Sequence, residues 1–479
     1  MNSNFHLGVW VCCLAAALSL PELVSLSLDF DGLIYSNIAQ QLASGVGSFW
    51  SLPYFDLSQF RFYDHPPLGI WLLSSWYASV GTWLLSEKLY ALVFAIILGL
   101  LFRANSKALG DTNPLWFPSL ILLSMPVLTS HWFGGYLEIP TTVITTLAVF
   151  CCLKSQSQIG WALLAGLLVY LAVLIKGPVG LFPLATPLAL WFFNKSFLPA
   201  FSRGVIMLSV CLIAFGCTHF LYPEALEFWK LYIEQQLVAS ITGLRTVEHT
   251  RVDLVVLLAT NIGLPVVVLW LVMRLFFKAS LNVNRTFYAW LIIAVCASVP
   301  QLLSARHYDH YILPSLPFFA LAISSLWRAP TMPSWVLKHG MLITCSSIGL
   351  VLIFAAYSWQ TPGRHADEQA TASRIAQLLG DAQILGYCEE AGSIKERSYL
   401  LRYHNISSTT GSYSATGSYS ATGSYSATGS YSATGVDSLK GVSIMWVICG
   451  SPPTSTMQQS VQVADRLTLW RMPVATKGQ

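Results

Sequence analysis

Two acidic clusters stand near the start of the chain, Asp29-Phe-Asp-Gly-Leu-Ile-Tyr35 and Tyr63-Asp-His-Pro-Pro-Leu68. Both follow the first apolar segment, Leu7–Leu28, of a chain that otherwise avoids charge. Carboxylates at a membrane boundary cost free energy unless they are hydrated, paired or in use. Their placement on one outer loop therefore points to a catalytic site at the water–lipid interface. A carboxylate at Asp29 or Asp31 could take a proton from an acceptor hydroxyl or amine and make it nucleophilic. It could equally cap an amphipathic helix over Gly32–Leu42 or complement its dipole. In that helix Leu33, Ile34, Ile38, Ala39 and Leu42 recur at helical spacing, a face suited to lie on the membrane. Asp64-His65-Pro66-Pro67 opens a second helix, with Pro67 suited to its first turn. There His65 is either a simple cap or a group that hydrogen-bonds a phosphate or orients a carboxylate.

Three more residues have chemistry at helix ends. Glu138 precedes Ile139-Pro140; it is either a solvated acid or one that holds an acceptor or a metal ion. Lys176-Gly-Pro178 and Arg306, in Ser304-Ala-Arg-His-Tyr-Asp-His-Tyr311, supply the cations expected at a lipid phosphate. Snorkelling to headgroups is the alternative for either one alone. The sequence has no P-loop, no Rossmann glycine pattern and no His-Glu-x-x-His, so ATP, NAD and protease-type zinc chemistry are unsupported.

The elements that must position these residues follow from composition. Of 479 residues 54% are hydrophobic and 10% charged, with mean hydropathy +0.59. Soluble domains carry roughly 25% charged residues, so the chain reads as an all-α polytopic membrane protein. The net charge of +4 comes with no basic run, which gives no support to nucleic-acid binding. A span needs about 20 apolar residues. Segments near 7–25, 88–103, 115–131, 139–153, 160–175, 178–193, 204–221, 254–273, 286–303, 311–327 and 341–358 give about 11 transmembrane helices by that measure. The first lacks a basic leader and reads as a retained span. Alternate connections carry Arg103 and Lys107, Lys154, Lys195 and Arg203, Arg274 with Lys278 and Arg285, then Arg328 and Lys338. The positive-inside rule puts these in the cytoplasm. Asp29, Asp31, Asp64, His65, Glu138, Lys176, Arg306, His307 and Asp309 then share the opposite face. That parity requires Pro66–Leu85 to lie in the interface or half-embedded, with a further span as the alternative.

Residues 1–358 thus form a transmembrane domain, with the first outer loop at 29–87. Residues 359–479 form a small C-terminal α/β extramembrane domain, with a helix-like run at Asp367–Leu379 and strand-like runs at Gln383–Tyr387 and Val442–Cys449. Between them a Gly-Ser-Tyr-Ser-Ala-Thr repeat runs from Gly411 to Thr434. It lacks the bulky aliphatics needed for a core, so a flexible loop over 411–435 is expected, with a short β-solenoid as the sharper alternative. Most of the 10 cysteines sit inside apolar runs as small hydrophobes, while Cys388 and Cys449 lie in the tail as candidates for a disulfide.

As an ordered set, several motifs resemble the GT-C membrane glycosyltransferases of the protein-mannosyltransferase and lipid A aminoarabinose transferase type. They are Asp31-Gly-x-x-Tyr35-x-x-Ile-Ala39, Gly-Ser-Phe-Trp at 47–50, His65-Pro-Pro-Leu68, Glu138-Ile-Pro140, Lys176-Gly-Pro-Val-Gly-Leu-Phe-Pro183 and Tyr311-Ile-Leu-Pro314. The resemblance covers roughly residues 1–330 and leaves the tail unmatched. It implies an inverting transferase that moves a sugar from a polyprenyl-phosphate donor to an envelope acceptor, whether lipid A, protein or glycan. Asp31 would be the base, with Glu138 the second catalytic acid at a position where the family usually has Asp. Lys176, Arg306 and His65 would hold the donor phosphate, and Asp64, Tyr35 and Tyr308 would support the acceptor. No cofactor is implied with certainty, and a divalent metal is compatible. Membrane lipids are the remaining partners. The expected location is the bacterial inner membrane, with the site and tail facing the periplasm. A multi-span transporter or lipid flippase is the alternative, although no internal repeat or paired broken helices support it.

Overall fold

The computed structural model describes residues 3–25, 27–54, 61–239, 242, 250–302, 307–331, 338–360, 365–380, 384–387, 394–410, 412–413, 419–420, 446–449, 458–464 and 467–471. The chain forms two compact units. One comprises Met1–Leu26, Tyr63–Leu73 and Leu85–Pro362; the other comprises Ser27–Phe62, Ser74–Leu84 and Gly363–Gln479.

The first unit is helical. Among the described residues, six helical stretches are long and apolar enough to cross a membrane: Asn4–Val24, Ser86–Ala108, Gly160–Asn194, Phe197–Leu221, Arg251–Leu275 and Gly340–Ser358. Most side chains along Phe197–Leu221 and Gly340–Ser358 are exposed despite being apolar, as lipid-facing helices require. Other expected spans are shorter or interrupted. The 115–131 segment breaks at Pro126 into Trp116–Leu123 and Pro126–His131, since proline at 126 cannot donate a helical hydrogen bond. The 139–153 segment is the 17-residue helix Glu138–Lys154. Its buried threonines return their hydroxyls to carbonyls one turn back, Thr141 to Leu137, Thr142 to Glu138 and Thr146 to Thr142, so a polar helix can be buried. Within the ambiguous stretch the helix is Leu68–Val80, 13 residues. At 1.5 Å per residue that is about 20 Å, short of a hydrocarbon core about 30 Å thick.

Gly160–Asn194 is not one straight rod. Gly177 has φ 66°, a left-handed conformation open to glycine, and the chain reverses there. Gly180 comes back against the backbone of Ala172 and Val173, where an added Cβ would overlap the Ala172 carbonyl carbon and the Val173 nitrogen. Neither backbone atom can give way cheaply. Gly180→Ala is therefore expected to abolish the folded, monodisperse peak in size-exclusion chromatography. Gly216→Ala, which meets nothing within 4 Å, should leave it intact.

The second unit joins the first loop to the tail. Its core gathers Leu28 and Leu33 of the loop with Ala372, Ile375, Leu379, Leu385, Tyr387, Tyr399, Leu400, Ile406 and Ile448. Leu33 and its neighbours Ile34, Ile38, Ala39 and Leu42 are all buried in protein. This corrects the expected membrane-lying face: the loop helix finds a protein surface to cover it. The tail is a five-stranded sheet, ordered Ser407–Thr410, Ile384–Tyr387, Trp446–Cys449, Leu467–Arg471, Gln458–Ala464. The first three strands are parallel and the last two pairings antiparallel. Helices Ala366–Leu379 and Ile394–His404 pack with it. Of the repeat, Ser412–Tyr413 and Tyr419–Ser420 form an antiparallel pair. The remainder of 411–435, and Cys388 with its candidate pairing, lie outside the described residues.

Candidate active site

In the spanning unit, three elements bring titratable side chains together. Glu138 is the first residue of the helix Glu138–Lys154, and Lys176 is the last residue of the helix Gly160–Lys176. The two helices pack side by side. The acid sits at a positive helix end and the ammonium at a negative one, so both dipoles favour the charges they meet. The Lys176 ammonium donates a hydrogen bond to Glu138 Oε1 in an ion pair buried to 7% and 1% side-chain exposure. Nζ also lies 4.8 Å from the centre of the Tyr311 ring, over its negative face.

The 3-10 turn Asp309–Ser315 brings His310 to the same acid, with Nε2 3.6 Å from Glu138 Oε1. The imidazole stacks on Tyr136, centroids 3.8 Å apart, and on Tyr308, 5.6 Å apart. His131 is 6.2 Å from it, and Tyr311 packs edge-on at 4.9 Å. Burial holds His310 well below its ordinary value of 6.5, and the nearby Lys176, His131 and His65 lower it further. It is neutral at pH 7. A histidine depressed on folding contributes stability that is present above the unfolded value and lost as pH falls beneath it. The melting temperature in detergent is therefore expected to fall as pH drops below 6.5. In His310→Phe, which keeps the stacking, that slope should flatten.

Asp64 and His65 belong to the same unit. The Gln236 amide donates to Asp64 Oδ1, and Tyr63 packs on Phe228 at 5.6 Å. Gln236 lies on the π-helical turn Ile233–Val238 that extends Pro223–Tyr232. Such turns are rare and recur at functional sites. Tyr232 brings its hydroxyl against Gly177, leaving no room for a Cβ there.

Asp31 lies in the loop-and-tail unit, in the first turn of the helix Phe30–Ala43. Asp29 takes the N-cap position with extended dihedrals, φ −67° and ψ 159°, but makes no side-chain capping bond. Tyr35, one turn beyond Asp31, packs edge-on against Phe62 at 6.2 Å. Arg306 lies outside the described residues.

Of the residues singled out in the sequence, the structure thus brings Glu138, Lys176, His65 and Tyr308 into one cluster around His310. Reading the sequence alone assigned no role to His310, Tyr136, Tyr311 or Gln236. The signal for two of them was in the string His307-Tyr-Asp-His-Tyr311, which is dense in aromatic and titratable groups for an apolar chain. Among the described residues, no group of three or more His, Cys, Asp and Glu side chains could hold a metal ion.

No protein-family model matches the chain, and no curated protein matches it by sequence. Solved structures do match it. ArnT from Cupriavidus metallidurans bound to undecaprenyl phosphate superposes with a TM-score of 0.68 at 16% identity, covering 100% of both chains. The same protein in the apo state gives 0.65 at 15% identity, covering 98% of each. The chain accordingly has a polytopic membrane fold shared with ArnT.

Proposed function

We propose that this protein is an integral-membrane glycosyltransferase that moves a sugar from a polyprenyl-phosphate donor to an envelope acceptor with inversion. The observation that carries the proposal is the whole-length likeness to ArnT bound to undecaprenyl phosphate. A fold alone does not fix chemistry. Support from the residues is an acid in the first turn of the first-loop helix and a buried ammonium held at a helix end.

In this reading Asp31 accepts the proton of the acceptor hydroxyl or amine. The acceptor atom forms its bond to the anomeric carbon as the bond from that carbon to the phosphate oxygen breaks. Polyprenyl phosphate leaves with the electron pair, and its growing charge is met by Lys176 and Arg306. An ammonium has three donors; Glu138 takes one and orients the others toward the phosphate. Neutral His310 then packs beside the pair without adding a competing charge. His65 joins Lys176 and Arg306 at the donor phosphate, while Asp64, held by the Gln236 amide, supports the acceptor with Tyr35 and Tyr308. The site and tail face the periplasm of a bacterial inner membrane.

The test is comparative mass spectrometry of lipid A, envelope glycans and glycoproteins from cells with the intact protein, without it, and with Asp31→Asn. Loss of the same sugar mass in both defective strains would name sugar and acceptor together. Identical profiles in all three would end the proposal.

A further inference from the structure

We propose that the tail helix Ile394–His404 is a positioning device for the first-loop acid, with Arg402 as its anchoring residue. This rests on the reading of Asp31 as the base. The helix that carries Asp31 is 14 residues long, about the length at which an isolated helix is marginal in water. Its position must come from what it packs against.

Three side chains on it meet the tail. Leu33 enters the shared core, the Asn37 amide donates to the Ser398 carbonyl at 3.0 Å, and Gln40 Oε1 accepts from Arg402 Nη1 at 3.5 Å. At about 100° per residue these lie about 200°, 240° and 180° around the helix from Asp31. Through these three side chains the tail grips the side of the helix opposite Asp31, so the acid is held from behind. Tyr35 and Leu42 share the side of Asp31, about 40° and 20° from it.

Arg402 extends the grip to the second half of the loop. It is 3% exposed, and its guanidinium donates to the carbonyls of Thr82 at 3.0 Å and Trp83 at 3.5 Å while lying 5.2 Å from the Tyr77 ring centre. The ring of Tyr403, its chain neighbour, also lies 5.0 Å from the guanidinium. One planar fork thus fixes both the helix of Asp31 and the segment that follows the helix beginning after His65. A lysine could keep the charge and the ring contact but not the divergent hydrogen bonds. No residue of the tail has to touch substrate for this to matter, because misplacing a reacting group by 1 Å can cost about 10²-fold in rate.

The test uses full-length protein in lipid nanodiscs. Stoichiometric binding of undecaprenyl phosphate counts folded sites, and turnover is measured per site with the sugar donor and acceptor that the mass spectrometry identifies. In Arg402→Ala, turnover per site at saturating donor is expected to fall about 10- to 100-fold. The KM for donor and the affinity for undecaprenyl phosphate should stay within about twofold, the pattern of a lost transition-state alignment. Arg402→Lys should recover part of the rate. Turnover per site equal to the intact protein overturns the proposal, and so does a parallel loss of binding in folded protein. Should Arg402→Ala not fold, Asn37→Ala and Gln40→Ala carry the test in the same direction, and unchanged turnover in both sinks it. Asp31→Asn separates the two readings. Full activity in that variant removes the base itself, whereas an inactive Asp31→Asn beside a fully active Arg402→Ala removes only the role of the tail.

Discussion

Asp31→Asn is expected to lower sugar transfer by about 10²- to 10⁴-fold, the range lost with a general base, while undecaprenyl phosphate binding stays near that of the intact protein. Asparagine keeps the volume and one acceptor oxygen but cannot take the proton of the attacking group. The helix Phe30–Ala43 should survive the change, because its N-cap position belongs to Asp29 and the helix is fixed through Leu33 and Asn37. Asp31→Glu shifts the same base by one bond, about 1.5 Å, and should retain a small residual rate. Product formed in membranes at matched expression measures both. Equal rates in Asp31→Asn and the intact protein would show that the proton goes elsewhere.

The parts legible in the sequence are those written in short-range patterns. Asp29 followed by apolar residues at helical spacing marks a helix start, and the helix begins at Phe30. Composition forces a polytopic membrane protein, and the chain shares its fold with the ArnT structures. Length per apolar run was enough to place Ser86–Ala108 and Phe197–Leu221. It was a poorer guide where proline or glycine cuts a run, as at Pro126 and Gly177.

What the sequence could not show were long-range partnerships. Glu138 and Lys176 are 38 positions apart, and nothing local to either says that a pair of neighbouring helices will join their ends. The local sequence gives each a role of its own, Lys176 as a phosphate ligand and Glu138 as an acid for acceptor or metal, and names neither as the other's partner. His310 had no periodic signature, since its burial depends on Tyr136 and Lys176, which are distant in sequence, as well as on its neighbour Tyr308. The bond from Asn37 to Ser398 spans 361 positions. Hydrophobic spacing correctly marked the apolar side of the first-loop helix but not its cover, because lipid and a protein core ask for the same side chains. Leu33 shows the ambiguity resolved in favour of protein.

The Glu138–Lys176 pair gives a second large expected effect, and one that separates structure from chemistry. Both side chains are buried, at 1% and 7% exposure, so removing either partner leaves a poorly hydrated charge without its main counterion. Breaking such a pair typically costs about 3–5 kcal/mol. Lys176→Met should therefore destabilise the protein strongly, and Glu138→Gln less, because its amide oxygen still accepts from Lys176 and the ammonium keeps the Tyr311 ring beneath it. In Lys176→Met with Glu138→Gln both charges are gone. Replacement of a buried pair by neutral groups of similar volume is often close to neutral in stability, so much of the lost melting temperature should return. Activity should not return with it. If Lys176 meets the phosphate of the leaving group, the double variant folds, yet it transfers sugar no faster than Lys176→Met and binds undecaprenyl phosphate weakly. Recovery of transfer alongside recovery of stability would mean that the pair only holds two helix ends together. Melting curves and donor-binding isotherms on the two single variants and the double variant decide between these outcomes.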